Sequence, residues 1–104
     1  MASTVIGHGL TVDGEIEGAE EVVVLGTVKG KLSARDHVAI ESGANVEAEV
    51  EGKHVTVAGR LTGDVRASER VEIRSEARMS GNIHAPRIQI AEGAAFRGNV
   101  EMES

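Results

Sequence analysis

The stretch VEIRSEARMSGNIHA, residues 71–85, decides the fold. Val71 and Ile73 alternate with polar residues, a turn follows, and Met79, Gly81, Ile83 and Ala85 resume the alternation. A period of two places Val71, Ile73, Met79 and Ile83 on the buried face of short strands. Helix is a poor alternative, because Val- and Ile-rich runs broken by Gly combine low helix propensity with the wrong period.

The same phrase recurs along the chain. Strand-type pairs stand at Leu10/Val12, Val22/Val24, Val38/Ile40, Val55/Val57, Val71/Ile73 and Ile88/Ile90, with first members 12, 16, 17, 16 and 17 residues apart. After each pair come a turn and a second apolar position: Ile16, Val28, Val46, Leu61, Met79 or Phe96. Two residues later the position is small (Gly18, Gly30, Ala48, Gly63, Gly81 or Gly98), and from the second copy Leu32, Val50, Val65, Ile83 or Val100 follows. Such a repeat fits an all-β parallel β-helix of six stacked coils. No coil buries its inner face alone, but stacked coils share one core, expected to hold Ile16, Val28, Val46, Leu61, Met79 and Ile83. The small column fits a bend with no room for a larger inward side chain. At ~4.8 Å per layer, six coils make a rod of roughly 29 Å.

On this reading residues 1–9 are a short tail, 10–102 a single domain and 103–104 a C-terminal tail. The first coil, 10–22, is shorter than the others, as terminal coils often are. Corner lengths vary: Val24 to Val28 and Val57 to Leu61 are short, whereas Ile40 to Val46, Ile73 to Met79 and Ile90 to Phe96 each carry two more residues.

Composition narrows the function. The chain has 17 Asp and Glu against 11 Lys and Arg, a net charge of −6, and Phe96 is its one aromatic residue. Affinity for a phosphate backbone comes largely from cations, and single strands need stacking platforms. No direct nucleic-acid partner is expected. Without cysteine there is no disulfide, thiol nucleophile or thiolate metal site. MASTVIGHGL lacks the basic region and apolar core of a signal peptide, and no apolar run approaches a membrane span. A soluble, cytoplasmic protein is expected.

No residues assemble into a site for chemistry. His37 and His54 precede the strand pairs of their coils and are expected to stack in an outer column reading Glu21, His37, His54, Arg70, Arg87. Two His could ligate a metal, but the arginines oppose it and no third ligand is evident, so a solvated ladder is expected. GHGLTV (7–12) lacks the third Gly of a dinucleotide loop and opens no helix. No Ser lies in a G-x-S-x-G elbow, and Glu47 and Glu49 point outward on a strand. No catalysis, cofactor, metal or small-molecule substrate is expected.

Six such coils resemble the bactofilins, bacterial polymer-forming cytoskeletal proteins. The resemblance covers residues 4–102 and rests on TVIGHGLTVDGEI, GTVKGKL, AGRLTGDV and APRIQIAEGAAFRGNV. It implies a right-handed β-helix of triangular cross-section, the hand that parallel crossovers overwhelmingly take. It also implies end-to-end filaments formed without nucleotide, and a scaffold for protein clients in cell shape, polar organisation or chromosome segregation. Some members carry an N-terminal membrane-binding segment; Val5–Ile6 is a weak anchor, so membrane association is not expected here. A non-polymerising β-helix adaptor is one alternative. A left-handed β-helix acyltransferase is another, but its six-residue period is broken by the spacings above.

A β-helix has two ends, each exposing unpaired backbone and a slice of core, and such edges template another chain unless covered. The expected polymer interface comprises Ile90, Phe96, Val100 and Met102 at one end and Ile6, Leu10 and Val12 at the other. The resemblance assigns an aromatic near the C-terminal end to the polymer contact, and Phe96 matches it. Residues 1–52 hold ten acids and three bases, and residues 53–104 seven acids and eight bases. Charge alone favours head-to-tail contact. The resemblance implies like ends meeting, in a filament without polarity.

Overall fold

The computed structural model describes residues 3–102, apart from the side chains of Ser3, Gly18, Ala19 and Met102. The expected tail at 103–104 lies outside the described residues. Among the described residues nine strands follow one another: β1 (Ser3–Ile6), β2 (Thr11–Val24), β3 (Thr27–Ile40), β4 (Asn45–Val57), β5 (Arg60–Thr62), β6 (Val65–Ile73), β7 (Arg78–Ala85), β8 (Ile88–Ile90) and β9 (Ala95–Met102). They form one sheet in which every pairing is parallel. A sheet of this kind, wound layer on layer with no helix among the described residues, is a β-solenoid.

Each coil bends three times. One bend is a tight corner, such as Ala44 N–H donating to the Glu41 carbonyl at 3.0 Å and Ala77 N–H to the Arg74 carbonyl at 3.0 Å. A second lies at glycines of positive φ: Gly14, Gly30, Gly63, Gly81 and Gly98, between +118° and +137°. The third is a slip in register, as between Ser33 and His37 or Gly52 and His54. Three bends give three strand segments per coil and hence a roughly triangular section. The whole measures 31 × 25 × 20 Å, a stub little longer than it is wide. In so short a solenoid the two ends are a large share of the surface.

The columns run through six layers. Val12, Val28, Val46, Leu61, Met79 and Phe96 pair in sequence; Ile16, Leu32, Val50, Val65, Ile83 and Val100 do the same. On the third segment, Thr4 and Ile6 begin the columns that continue as Val22/Val24, Val38/Ile40, Val55/Val57, Val71/Ile73 and Ile88/Ile90. In the four inner layers these side chains are 0–3% exposed, and among the described residues no polar or charged residue is buried. Each fully buried Val, Leu or Ile contributes about 1.5–3 kcal/mol. The core is therefore the sum of the layers.

Three expectations need correction, all in or from the first coil. Residues 3–6, assigned to a tail, form strand β1 paired with Glu21–Val24, and Ile6 is 3% exposed. The first coil therefore begins near residue 4 and is not a shortened one. Within it, Val12 rather than Ile16 lies beneath Val28, and Gly14 rather than Gly18 lies beneath Gly30. Ile16 sits one column over, beneath Leu32, and is half-buried because no layer covers it. The physical reason is that Val12-x-Gly14 and Ile16-x-Gly18 present the same pattern four residues apart, so alternation alone cannot choose between them.

The small column also has a different cause from the one expected. Gly30 and Gly98 are exposed, so limited room in the core does not select them. A Cβ at Gly81 would fall onto the Gly63 carbonyl oxygen, and one at Gly98 onto that of Gly81. Positive φ and the carbonyl of the layer beneath exclude a side chain there. Ala48, in the same column, keeps an ordinary φ. Short corners are selected similarly: a Cβ at Gly59 would meet the Glu41 and Ala44 carbonyl oxygens at 2.5 and 2.6 Å.

Candidate assembly interface

Stacked strands satisfy one another's backbone groups only where a neighbouring layer exists. At the C-terminal end, β8 pairs only with β6 and β9 only with β7, so each has a second edge without a partner among the described residues. At the N-terminal end, β1 and the Thr11–Ile16 part of β2 have the same bare edge. Hydrogen bonds run unbroken between layers right up to these edges, as from Ala95 N–H to the Ala77 carbonyl at 3.1 Å and from Ala91 N–H to the Ile73 carbonyl at 2.8 Å. A backbone edge of this kind is a template for another strand.

The core is open at the same places. At the C-terminal end Ile90 is 47% and Val100 39% exposed, whereas Ile73 and Ile83 one layer below are 0% and 1%. Phe96 is half-buried over Met79, and Ile88 and Ala94 are half-buried beside it. At the N-terminal end Val12 and Ile16 are half-buried, and Ile6, in the column of Ile90, is buried. Val5 and Leu10 are 60% and 56% exposed, but neither lies in a core column: Val5 points out beside Val23, and Leu10 closes the corner at 7–10.

The expected interface residues thus fall into three groups. Phe96, Val100, Ile90 and Val12 lie on the terminal slices. Leu10 lies at their rim, and Ile6 lies inside. Met102 pairs through its backbone with Ala85, and its side chain lies outside the described residues. Ile16, expected in the core, belongs with Val12 on the N-terminal slice. A signal for this arrangement was present in the sequence: GHGL (7–10) matches the corners ESGA (41–44), RSEA (74–77) and AEGA (91–94). That match makes the preceding Thr4 and Ile6 a strand pair.

The outer histidine column stands as the spacing predicts in Glu21, His37, His54 and Arg70, which are consecutive in register. The His37 and His54 rings stack with centroids 6.3 Å apart, and His54 Nε2 lies 2.7 Å from Glu69 Oε2. Arg70 donates to Gln89 Oε1 at 2.7 Å. Among the described residues no three His, Asp or Glu side chains gather as a metal site. Among the described residues no helix is long and apolar enough to cross a membrane.

The class these features define is a parallel β-solenoid that ends in open core slices. The chain matches, over residues 4–101, the family described as bactofilin, polymer-forming cytoskeletal, and it belongs to that family. Three relatives come from Myxococcus xanthus (strain DK1622). Bactofilin BacO is 50% identical over 99% of this chain and 82% of its own length. Bactofilin BacP is 39% identical over 96% of this chain but 42% of its own length. Bactofilin BacN is 36% identical over 95% of this chain and 88% of its own. No solved structure gives a significant match.

Proposed function

We propose that this chain polymerises end to end, without nucleotide, into a filament that serves as a cytoplasmic scaffold for protein clients. The observation that carries the proposal is the sudden opening of a continuous core: Ile90 and Val100 are exposed where their neighbours one layer below are not. Docking a second solenoid continues the parallel or antiparallel ladder and covers Ile90, Phe96 and Val100 in one step. The driving force is burial of apolar surface together with the pairing of edge backbone groups. Both are present in the folded subunit, so assembly needs no bound energy source. A bare column of strands on three sides leaves the lateral faces free for clients. By the family resemblance, those clients would act in cell shape, polar organisation or chromosome segregation.

Electron microscopy of the purified chain in nucleotide-free buffer tests this. Filaments are expected there, unchanged in number when ATP or GTP is added. Discrete particles in all three conditions would overturn the proposal in favour of a non-polymerising adaptor.

A further inference from the structure

One lateral face of the rod is apolar where the strand pattern calls for polar residues. Val5, Val23 and Ala39 are consecutive in register and point outward from the third segment of the first three layers. In the next three layers the same column reads Thr56, Glu72 and Gln89. Leu25 extends the apolar face at the strand end, where its N–H donates to the Ile6 carbonyl at 2.7 Å and continues the ladder. Val5 is 60% exposed, and Val23, Leu25 and Ala39 are half-buried. These side chains point sideways, so a rod docked on either end leaves them in water. Single surface aliphatics are ordinary, but a contiguous group rimmed by polar residues marks an interaction site.

The rim decides what fits. Residues 3–6, 20–25 and 36–41, which form this face, include Glu20, Glu21, Asp36 and Glu41 and no Lys or Arg. Glu21 lies one outward position before Val23, and Glu41 lies one beyond Ala39, over Leu25. All four carboxylates are exposed, and none has an ion pair among the described residues. They repel an anionic lipid surface and favour an apolar partner that carries its own cations.

We propose that the Val5–Val23–Leu25–Ala39 face docks a short segment of a client protein that presents aliphatic side chains flanked by Lys or Arg. The proposal rests on the scaffold reading, for which it names the client chemistry. Three layers span only about 10 Å, so one face holds a few residues and binds weakly. A filament repeats the face at every rod, and multivalency strengthens the hold on a client that carries several such segments.

The test is fluorescence anisotropy of a short labelled peptide of alternating Leu and Lys, added to the purified chain at about 0.1 M salt. Peptides of alternating Ser and Lys and of alternating Leu and Glu are the controls. The Leu/Lys peptide is expected to bind and both controls to fail. Val5→Ser/Val23→Ser and, separately, Glu21→Lys/Glu41→Lys are expected to weaken binding about tenfold or more. Glu47→Lys/Glu49→Lys, which removes two acids from another face, is expected to leave it unchanged. Equal loss in all three variants, or equal binding of the Ser/Lys peptide, would reduce the contact to general attraction for acid and overturn the docking face. Flotation of the wild type, but not of Val5→Ser/Val23→Ser, with phosphatidylglycerol vesicles would assign the face to a membrane instead. Loss of filaments in that variant would assign it to a contact between copies. Wild-type filaments that ignore the Leu/Lys peptide would overturn docking alone, and peptide binding by a chain that forms no filaments would overturn the polymer reading alone.

Discussion

The two ends of this solenoid are built from the same columns and present different surfaces. The C-terminal slice offers Ile90, Phe96 and Val100, two of them more than a third exposed, beside Arg97 and Glu101. The N-terminal slice offers the smaller Val12 with Ile16, has Ile6 already buried, and carries Asp13, Glu15 and Glu17 along its first layer. An aromatic brings more apolar area to a contact than a valine does. Clustered carboxylates repel a like surface until salt screens them. Equal backbone edges therefore do not make equal surfaces: if the rods meet end to end as proposed, the C-terminal junction is expected to be the stronger and the N-terminal one the more sensitive to ionic strength.

The largest effect expected is loss of filaments on placing a charge in either slice. Phe96→Arg removes apolar burial and buries a guanidinium without a partner, together costing about 4 kcal/mol or more, roughly a thousandfold in affinity. Val12→Asp does the same at the other end on a smaller apolar contact. Circular dichroism of both variants should remain that of a folded β-solenoid. Sedimentation then separates the two modes of assembly, because a contact between like ends survives at the unaltered end. Dimers from each variant are expected, with the Phe96→Arg dimer, held through its acidic ends, the one that falls apart at low salt. Monomers from both variants would mean that unlike ends meet.

A smaller difference is expected inside the layers. Gly14 and Gly98 share a column and a positive φ, +137° and +129°. A Cβ at Gly14 meets nothing within 4 Å, whereas at Gly98 it falls onto the Gly81 carbonyl oxygen. Gly14→Ala should cost about 1–3 kcal/mol of backbone strain, and Gly98→Ala more, because its strand must also lift from the layer beneath. Urea unfolding in the Phe96→Arg background at low salt, where that dimer is expected to fall apart, would measure the difference without a contribution from assembly. Equal losses would show that the layers adjust freely.

The smallest effect belongs to the middle of the rod, far from both ends. The His54–Glu69 pair is 41% and 55% exposed, so His54→Ala should change stability by no more than about 1 kcal/mol and leave filaments intact. A larger loss of stability, or any loss of filaments, would give the histidine column a structural role that its exposure does not suggest.

Much of this architecture is legible in the residues. The columns Val28–Val46–Leu61–Met79–Phe96 and Leu32–Val50–Val65–Ile83–Val100 follow from a period of two and one repeated corner, and the pairings keep them in that register. Phe96 stands out by being the one aromatic in a column of aliphatics. The first coil is less legible. Thr4 is polar where its column is otherwise Val or Ile, and Val12-x-Gly14-x-Ile16-x-Gly18 reads equally well in two registers. Hydrogen bonding to β3 chooses one of them, and that choice moves Ile16 from the core to the end.

By itself the sequence determined the repeat, the strand period, the layer count and the acidic-to-basic gradient, because each is a property of spacing along the chain. Tertiary structure alone decided which residues are covered. Ile6 and Ile90 occupy one column and are chemically identical, yet one is buried and the other half open to water. Both lie in terminal layers, so burial there depends on what else covers each slice of core, and spacing along the chain does not record that.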